Sequence, residues 1–440
     1  MGTDEAFDAE EFYAEMDRRA RERRERARRR RPSWPSVGSR RGAGRRRAAI
    51  AEARHLAATR AGRILIGACA AIAAVTAVGL VWLWPSAEAR RGPSQAFGGA
   101  TVPGRVIALR DVQCAGPIPQ RCRQIVVEVR GRRWPITLGP VSASPVLDAG
   151  EAIRVAPIRL PPGAGPAGAE RYAFVDVDRN GGLLAMGVAL AVLALITLWW
   201  RGALAILGVG LSILLLTTFL VPALLQGRPA VLTALVAALA VMFITLVLTN
   251  GVGAQTMAAT LGVTATLVLL AALAAACVAA ADLDGRSNEL SLLLSQQNRD
   301  VSLRGIVLAG MVIGALGVLA DTAVTQASAV MALRRTDPRL SARGLYRRAF
   351  VIGRDHLSAT IHTLVLAYAG ATLPLLLVMR SSGVNAADAL NAQDIAEPVV
   401  ATIVGCAALI AAVPLTTGLA ALLIARVPAE LIGDGHGHHH

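Results

Sequence analysis

Residues 183–250 read LLAMGVALAVLALITLWWRGALAILGVGLSILLLTTFLVPALLQGRPAVLTALVAALAVMFITLVLTN. In these residues the charges are Arg201 and Arg228 alone, and no acid appears. A soluble helix needs a polar face, and this stretch has none. Runs of this length and composition span a bilayer. The stretch divides at Trp199-Trp200-Arg201, an interfacial belt with a charge stop, and at Gly227-Arg228-Pro229, a tight turn. It therefore predicts helices over about 183–200, 202–225 and 229–250.

The same reading extends in both directions. Ile64 to Trp84 is an earlier apolar run closed by Pro85; its length and the long arm before it argue against a cleaved signal peptide. After Thr249-Asn250-Gly251, helices are expected at about 254–281, 303–333, 357–379 and 396–426. The fold class is thus an α-helical integral membrane protein of about eight transmembrane helices. A mean hydropathy of +0.51 with 17% charged residues agrees with that class and not with a soluble chain of this size.

Residues 86–180 differ. Short alternating segments, Arg105 to Val112, Gln124 to Val129, Trp134 to Leu138, Ala152 to Leu160 and Arg171 to Asp176, are separated by Gly and Pro. They predict a small all-β domain between helices one and two, either an oligonucleotide-binding-like barrel or a sandwich. The expected organisation is a basic arm (1–61), a first span (62–85), the β domain (86–180), a seven-helix membrane domain (181–427) and a tail (428–440).

All 45 basic residues are Arg, and the net charge is +15. Residues 1–60 hold 17 Arg against 10 acids. Beside a first span such an arm marks the cytoplasmic side and touches anionic lipid; no nucleic acid partner is expected. Short loops carrying Arg201 and the cluster Arg334, Arg335, Arg339, Arg343, Arg347, Arg348 and Arg354 fall inside when there are eight spans. Both termini are then cytoplasmic and the β domain is outside. There Cys114 and Cys122 can close a disulfide, whereas Cys69, Cys277 and Cys406 lie in apolar runs.

Chemistry concentrates in two segments. In Leu316 to Met331, LGVLADTAVTQASAVM, an ionised Asp321 in hydrocarbon costs roughly 3 kcal/mol unless something compensates it. Asp321, Thr325 and Ser328 fall at i, i+4 and i+7, with Thr322 and Gln326 on an adjacent stripe. Their oxygens suit a cation or a proton relay; the alternative is hydrogen bonding between helices. In Gly353 to Leu377, GRDHLSATIHTLVLAYAGATLPLLL, His356, Thr360 and Thr363 share one face, and Asp355, Ser358 and His362 another. Arg354 and Asp355 are expected at the helix start, as an ion pair or a cap. His362 is expected about two turns inside, able to bind a metal or pass a proton, or only to bond a neighbouring helix. Asn250, Gln255 and Thr256 border a glycine-rich break that reads as a turn, and Thr260, Thr264 and Thr266 should bond their own backbone. No soluble-enzyme motif and no cofactor site is present, and whether a metal binds is left open.

In these two segments the chain resembles the YibE/F-like family of bacterial multi-pass membrane proteins. The order of one helix, an outer β domain and a helical bundle is similar too. The resemblance implies transport or efflux without naming a substrate, and the family pattern carries Asn where this chain has His362. The expected function is a secondary transporter exporting an ion or small solute across a bacterial plasma membrane through a polar intramembrane site around Asp321 and His362. The alternatives are a scaffold docking partners through the β domain and arm and, third, a membrane enzyme, for which no nucleophile paired with a base is evident. A homo-oligomer is compatible with either of the first two.

Overall fold

The computed structural model describes residues 60–87, 101–114, 120–159, 170–286 and 301–426. The basic arm up to residue 59, most of the 282–300 loop and the His-rich tail lie outside the described residues.

Helix α1 (Arg60–Trp82) precedes five strands, β1 (Val102–Gln113), β2 (Arg121–Val129), β3 (Arg132–Pro140), β4 (Ala152–Arg159) and β5 (Glu170–Val177). They form one antiparallel sheet in the order β3-β2-β1-β4-β5, not two stacked sheets. Alternation supplies its core: Ile125, Val127 and Val129 share a face of β2 and are buried with Val106, Ile153 and Val155. The sheet curls until its two edge strands meet, with Trp134 and Tyr172 edge-to-face at 5.4 Å. Cys114 and Cys122 form a disulfide across the β1–β2 hairpin.

Then come α2 (Asn180–Leu198), α3 (Trp200–Leu215), a π-helical turn (Leu216–Leu220) leading into α4 (Val221–Leu225), α5 (Ala230–Asn250), α6 (Ala254–Ala280), α7 (Leu303–Thr336), α8 (Ala342–Ser381), the short α9 (Ala386–Asn391) and α10 (Gln393–Ile424). Trp199 at φ 55 breaks α2 from α3, a left-handed position that a helix cannot continue through. Among the described residues, eight helices are long and apolar enough to cross a membrane: α1, α2, the α3–α4 run, α5, α6, α7, α8 and α10.

The centre of the bundle is α6, α7 and α10, packed on one another, with α5 and α8 against them. Along α7 the buried residues Leu308, Val312, Ala315, Leu319, Ala323, Gln326 and Val330 recur every third or fourth position. On α2 no residue is buried, and its leucines and valines face outward. Small residues let the central helices approach closely: a Cβ at Gly262 of α6 would collide with Thr416 of α10.

One element departs from the sequence expectation. Helix α8 begins at Ala342, not near residue 357, capped by Ser341, whose hydroxyl accepts from Gly344 N–H. Leu345, Ala349 and Gly353 are buried along one side while Arg343, Arg347, Arg348 and Arg354 are exposed. The expected Arg-rich loop is therefore mostly the amphipathic start of a 40-residue helix. Its real connection to α7 is clamped by Arg334, which donates to Leu340 O at 3.0 Å, to Ala425 O at 3.2 Å and to Pro338 O.

Candidate functional site: a buried polar knot

The polar residues of α7 divide between its two sides. Asp321 is exposed and, among the described residues, makes no hydrogen bond or ion pair; Thr325 and Ser328 are half-buried. The adjacent stripe enters the interior: Thr322 is 1% exposed and Gln326 0%. Gln326 Oε1 accepts from Thr417 Oγ1 of α10 at 2.9 Å. Gly353 of α8 lies directly on the same amide. Ser328 accepts from Gln255 Nε2 of α6.

Four buried polar atoms here have no partner among the described residues: Thr322 Oγ1, Gln326 Nε2, Thr416 Oγ1 and His356 Nε2. Each unmet group costs on the order of 1–3 kcal/mol. Turning the Gln326 amide over exchanges its ends but leaves one unpaired. The antiparallel register of α7 and α8 groups three of them. Gln326 meets Gly353, so Thr322, one turn earlier on α7, and His356, one turn later on α8, lie at neighbouring levels. Thr416, next to Thr417 on α10, lies instead against Gly262 of α6. Hydroxyls, an amide and an imidazole together can donate to and accept from a small polar species.

The other expected residues are satisfied locally. Thr360 Oγ1 donates to His356 O at 2.9 Å, Thr363 Oγ1 to Thr360 O at 2.8 Å, and His362 Nδ1 lies 2.7 Å from Ser358 O. His362 is exposed and sits twenty residues, not two turns, from the start of α8. Arg354 and Asp355 are exposed in mid-helix, so neither caps it. Thr260, Thr264 and Thr266 bond to their own backbone as expected, and Gly251 at φ 74 makes the turn before α6. Among the described residues no group of three or more His, Cys, Asp or Glu could hold a metal ion.

A model of the YibE/F-like protein family matches residues 186–426, more than half of the chain. The chain belongs to the YibE/F-like family. No curated protein and no solved structure matches it. The YibE/F-like match runs from within α2 to just past the end of α10, so it contains every residue of the knot and leaves α1 and the sheet outside. Reading the sequence of this YibE/F-like chain alone found Thr322, Gln326 and His356 but missed Gly262, Gly353, Thr416 and Thr417. The one local signal for the last two is a pair of adjacent threonines just after Pro414 in an otherwise apolar span.

Proposed function

We propose that this YibE/F-like protein is a multi-pass protein of a bacterial plasma membrane that carries a small polar solute or ion through the knot around Gln326. The observation that carries the reading is the set of buried, unpaired polar atoms that the register of α7 and α8 brings to neighbouring levels, Thr322 Oγ1, Gln326 Nε2 and His356 Nε2, beside Thr417 of α10. In hydrocarbon such groups have no water to turn to, so a passing solute is a natural partner for them. The set contains no carboxylate, so a polar solute is held by hydrogen bonds and a cation by neutral oxygens. Asp321 stands apart on the exposed side of α7 and is not among them.

In this reading both termini are cytoplasmic, with the basic arm on anionic lipid and the sheet on the outer side. The Arg-rich start of α8 and the even number of spans support that orientation. The Cys114–Cys122 disulfide suits an oxidising compartment. A single curled sheet favours the oligonucleotide-binding-like barrel over the sandwich, without assigning it a ligand.

The test is flux in proteoliposomes on a solid-supported membrane. Na+, K+, Mg2+, chloride, phosphate and glycine are offered in turn. At least one gives a protein-dependent signal that falls tenfold or more in Gln326→Leu and persists in Thr264→Ala. A signal unchanged in Gln326→Leu removes the knot from the mechanism. A folded protein silent with every probe points to the scaffold reading, which the local self-bonding of Thr360, His362 and Thr363 favours.

A further inference from the structure

Helix α7 carries a second feature that the knot does not use. Gly310, Gly314, Gly317 and Asp321 recur at i, i+4, i+7 and i+11, one stripe of the helix, and all four are exposed. A Cβ at Gly310 or Gly317 would meet nothing within 4 Å, and one at Gly314 would meet only Tyr368 Oη of α8, at 2.9 Å. The stripe therefore runs along the open side of α7, beside α8.

Two contacts fix the antiparallel register of these helices, Gln326 on Gly353 and Gly314 on Tyr368. Between them, Asp321 is level with residues 358–361 of α8. His362 is then within roughly 6 Å of Asp321 along the helix axis, at 1.5 Å per residue. His362 is exposed, and its Nδ1 is engaged by Ser358 O, which leaves Nε2 for a group beyond its own helix. An exposed acid and an exposed base thus stand within about one helical turn of each other in depth on two apolar helices. Acyl chains would leave both uncompensated.

We propose that a second copy of this chain covers this side, its α8 laid along the glycine stripe so that Asp321 of one protomer meets His362 of the other. The acid and the base are complementary, and two copies inserted in the same orientation keep their depths, so the pair forms with an offset of at most about one helical turn. Glycines along the seam allow the close backbone approach on which helix pairs in lipid depend. A two-fold arrangement forms the contact twice. Helix α8 is free to serve, because only Leu345, Ala349, Gly353 and Leu364 of its forty residues are buried. The proposal rests on membrane insertion but not on transport, so its failure leaves the Gln326 flux test untouched.

The experiment co-expresses two differently tagged full-length chains, each with Cys69, Cys277 and Cys406 replaced by Ala. One carries Asp321→Cys and the other His362→Cys, and native membranes are oxidised. The expected result is a covalent heterodimer carrying both tags. Its absence overturns the proposal, and labelling of both cysteines by a membrane-impermeant maleimide would then assign this side to water. Independently of any variant, wild-type protein in lipid nanodiscs should have the mass of a dimer or larger; a monomer overturns the proposal.

Discussion

Gly353 lies so close to the side-chain amide of Gln326 that a Cβ on it would stand 2.6 Å from Oε1 and 2.7 Å from Nε2. Glycine is required there by space, since its backbone is ordinary helix. Gly353→Ala must push α8 off α7 or turn the amide away from Thr417, an overpacking cost of about 1–3 kcal/mol. The expected outcome is a lower unfolding midpoint in detergent and loss of flux. Gly370→Ala, with nothing within 4 Å, should change neither.

Gln326 separates a functional knot from a structural one. Gln326→Met with Thr417→Val replaces both hydrogen-bonding partners by apolar groups of similar size. Such double replacement should keep stability within about 1.5 kcal/mol of the parent. A structural knot predicts retained flux in this variant, and a solute site predicts its loss. Thermal unfolding and flux measured on one preparation decide between them.

The Cys114–Cys122 bridge closes a short loop between β1 and β2. Chain-entropy arguments give such a loop roughly 2–3 kcal/mol. Cys114→Ser with Cys122→Ser should speed proteolysis of the sheet in intact membranes while leaving the helical spans protected. Equal protection of the sheet with and without the bridge would count against a stabilising role.

Arg334 joins the ends of three helices by donating to carbonyls at Pro338, Leu340 and Ala425. A lysine has no planar fork of donors and cannot serve all three. Arg334→Lys should therefore destabilise by about 1 kcal/mol, the net worth of hydrogen bonds to partly exposed carbonyls. Hydrogen exchange should rise first at residues 337–345 and near 424; uniform exchange across the bundle would contradict the clamp.

Asp284, just beyond α6, accepts from the backbone N–H of Arg286 and from the Gln393 side chain at the start of α10, and these bonds hold its carboxyl below the usual carboxylate range. A lowered folded pKa means stability that is present above the unfolded value, near 3.8, and lost as pH falls through the folded one. The difference in unfolding midpoint between wild type and Asp284→Asn should hold from pH 7 to 5 and vanish in stronger acid. A difference that grows on acidification would reverse the sign of this linkage.

What the sequence by itself determined is local. Eight apolar runs, five alternating strands, the turn at Gly251 and the Cys114–Cys122 pairing follow from neighbours along the chain, because hydropathy, period and spacing are sums over a few residues. Tertiary structure decided the rest. The start of α8 was hidden because its arginines mask an apolar side that only packing of Leu345, Ala349 and Gly353 reveals. Thr322 and Gln326 turn inward and Asp321 outward because α5, α6, α8 and α10 pack around α7 and leave open the strip that carries Asp321. Thr417 reaches Gln326 across 91 residues of chain, a meeting set by the close approach of helices at Gly262 and Gly353. Periodicity gives the faces of a helix, but only the neighbours packed around it decide which one is covered.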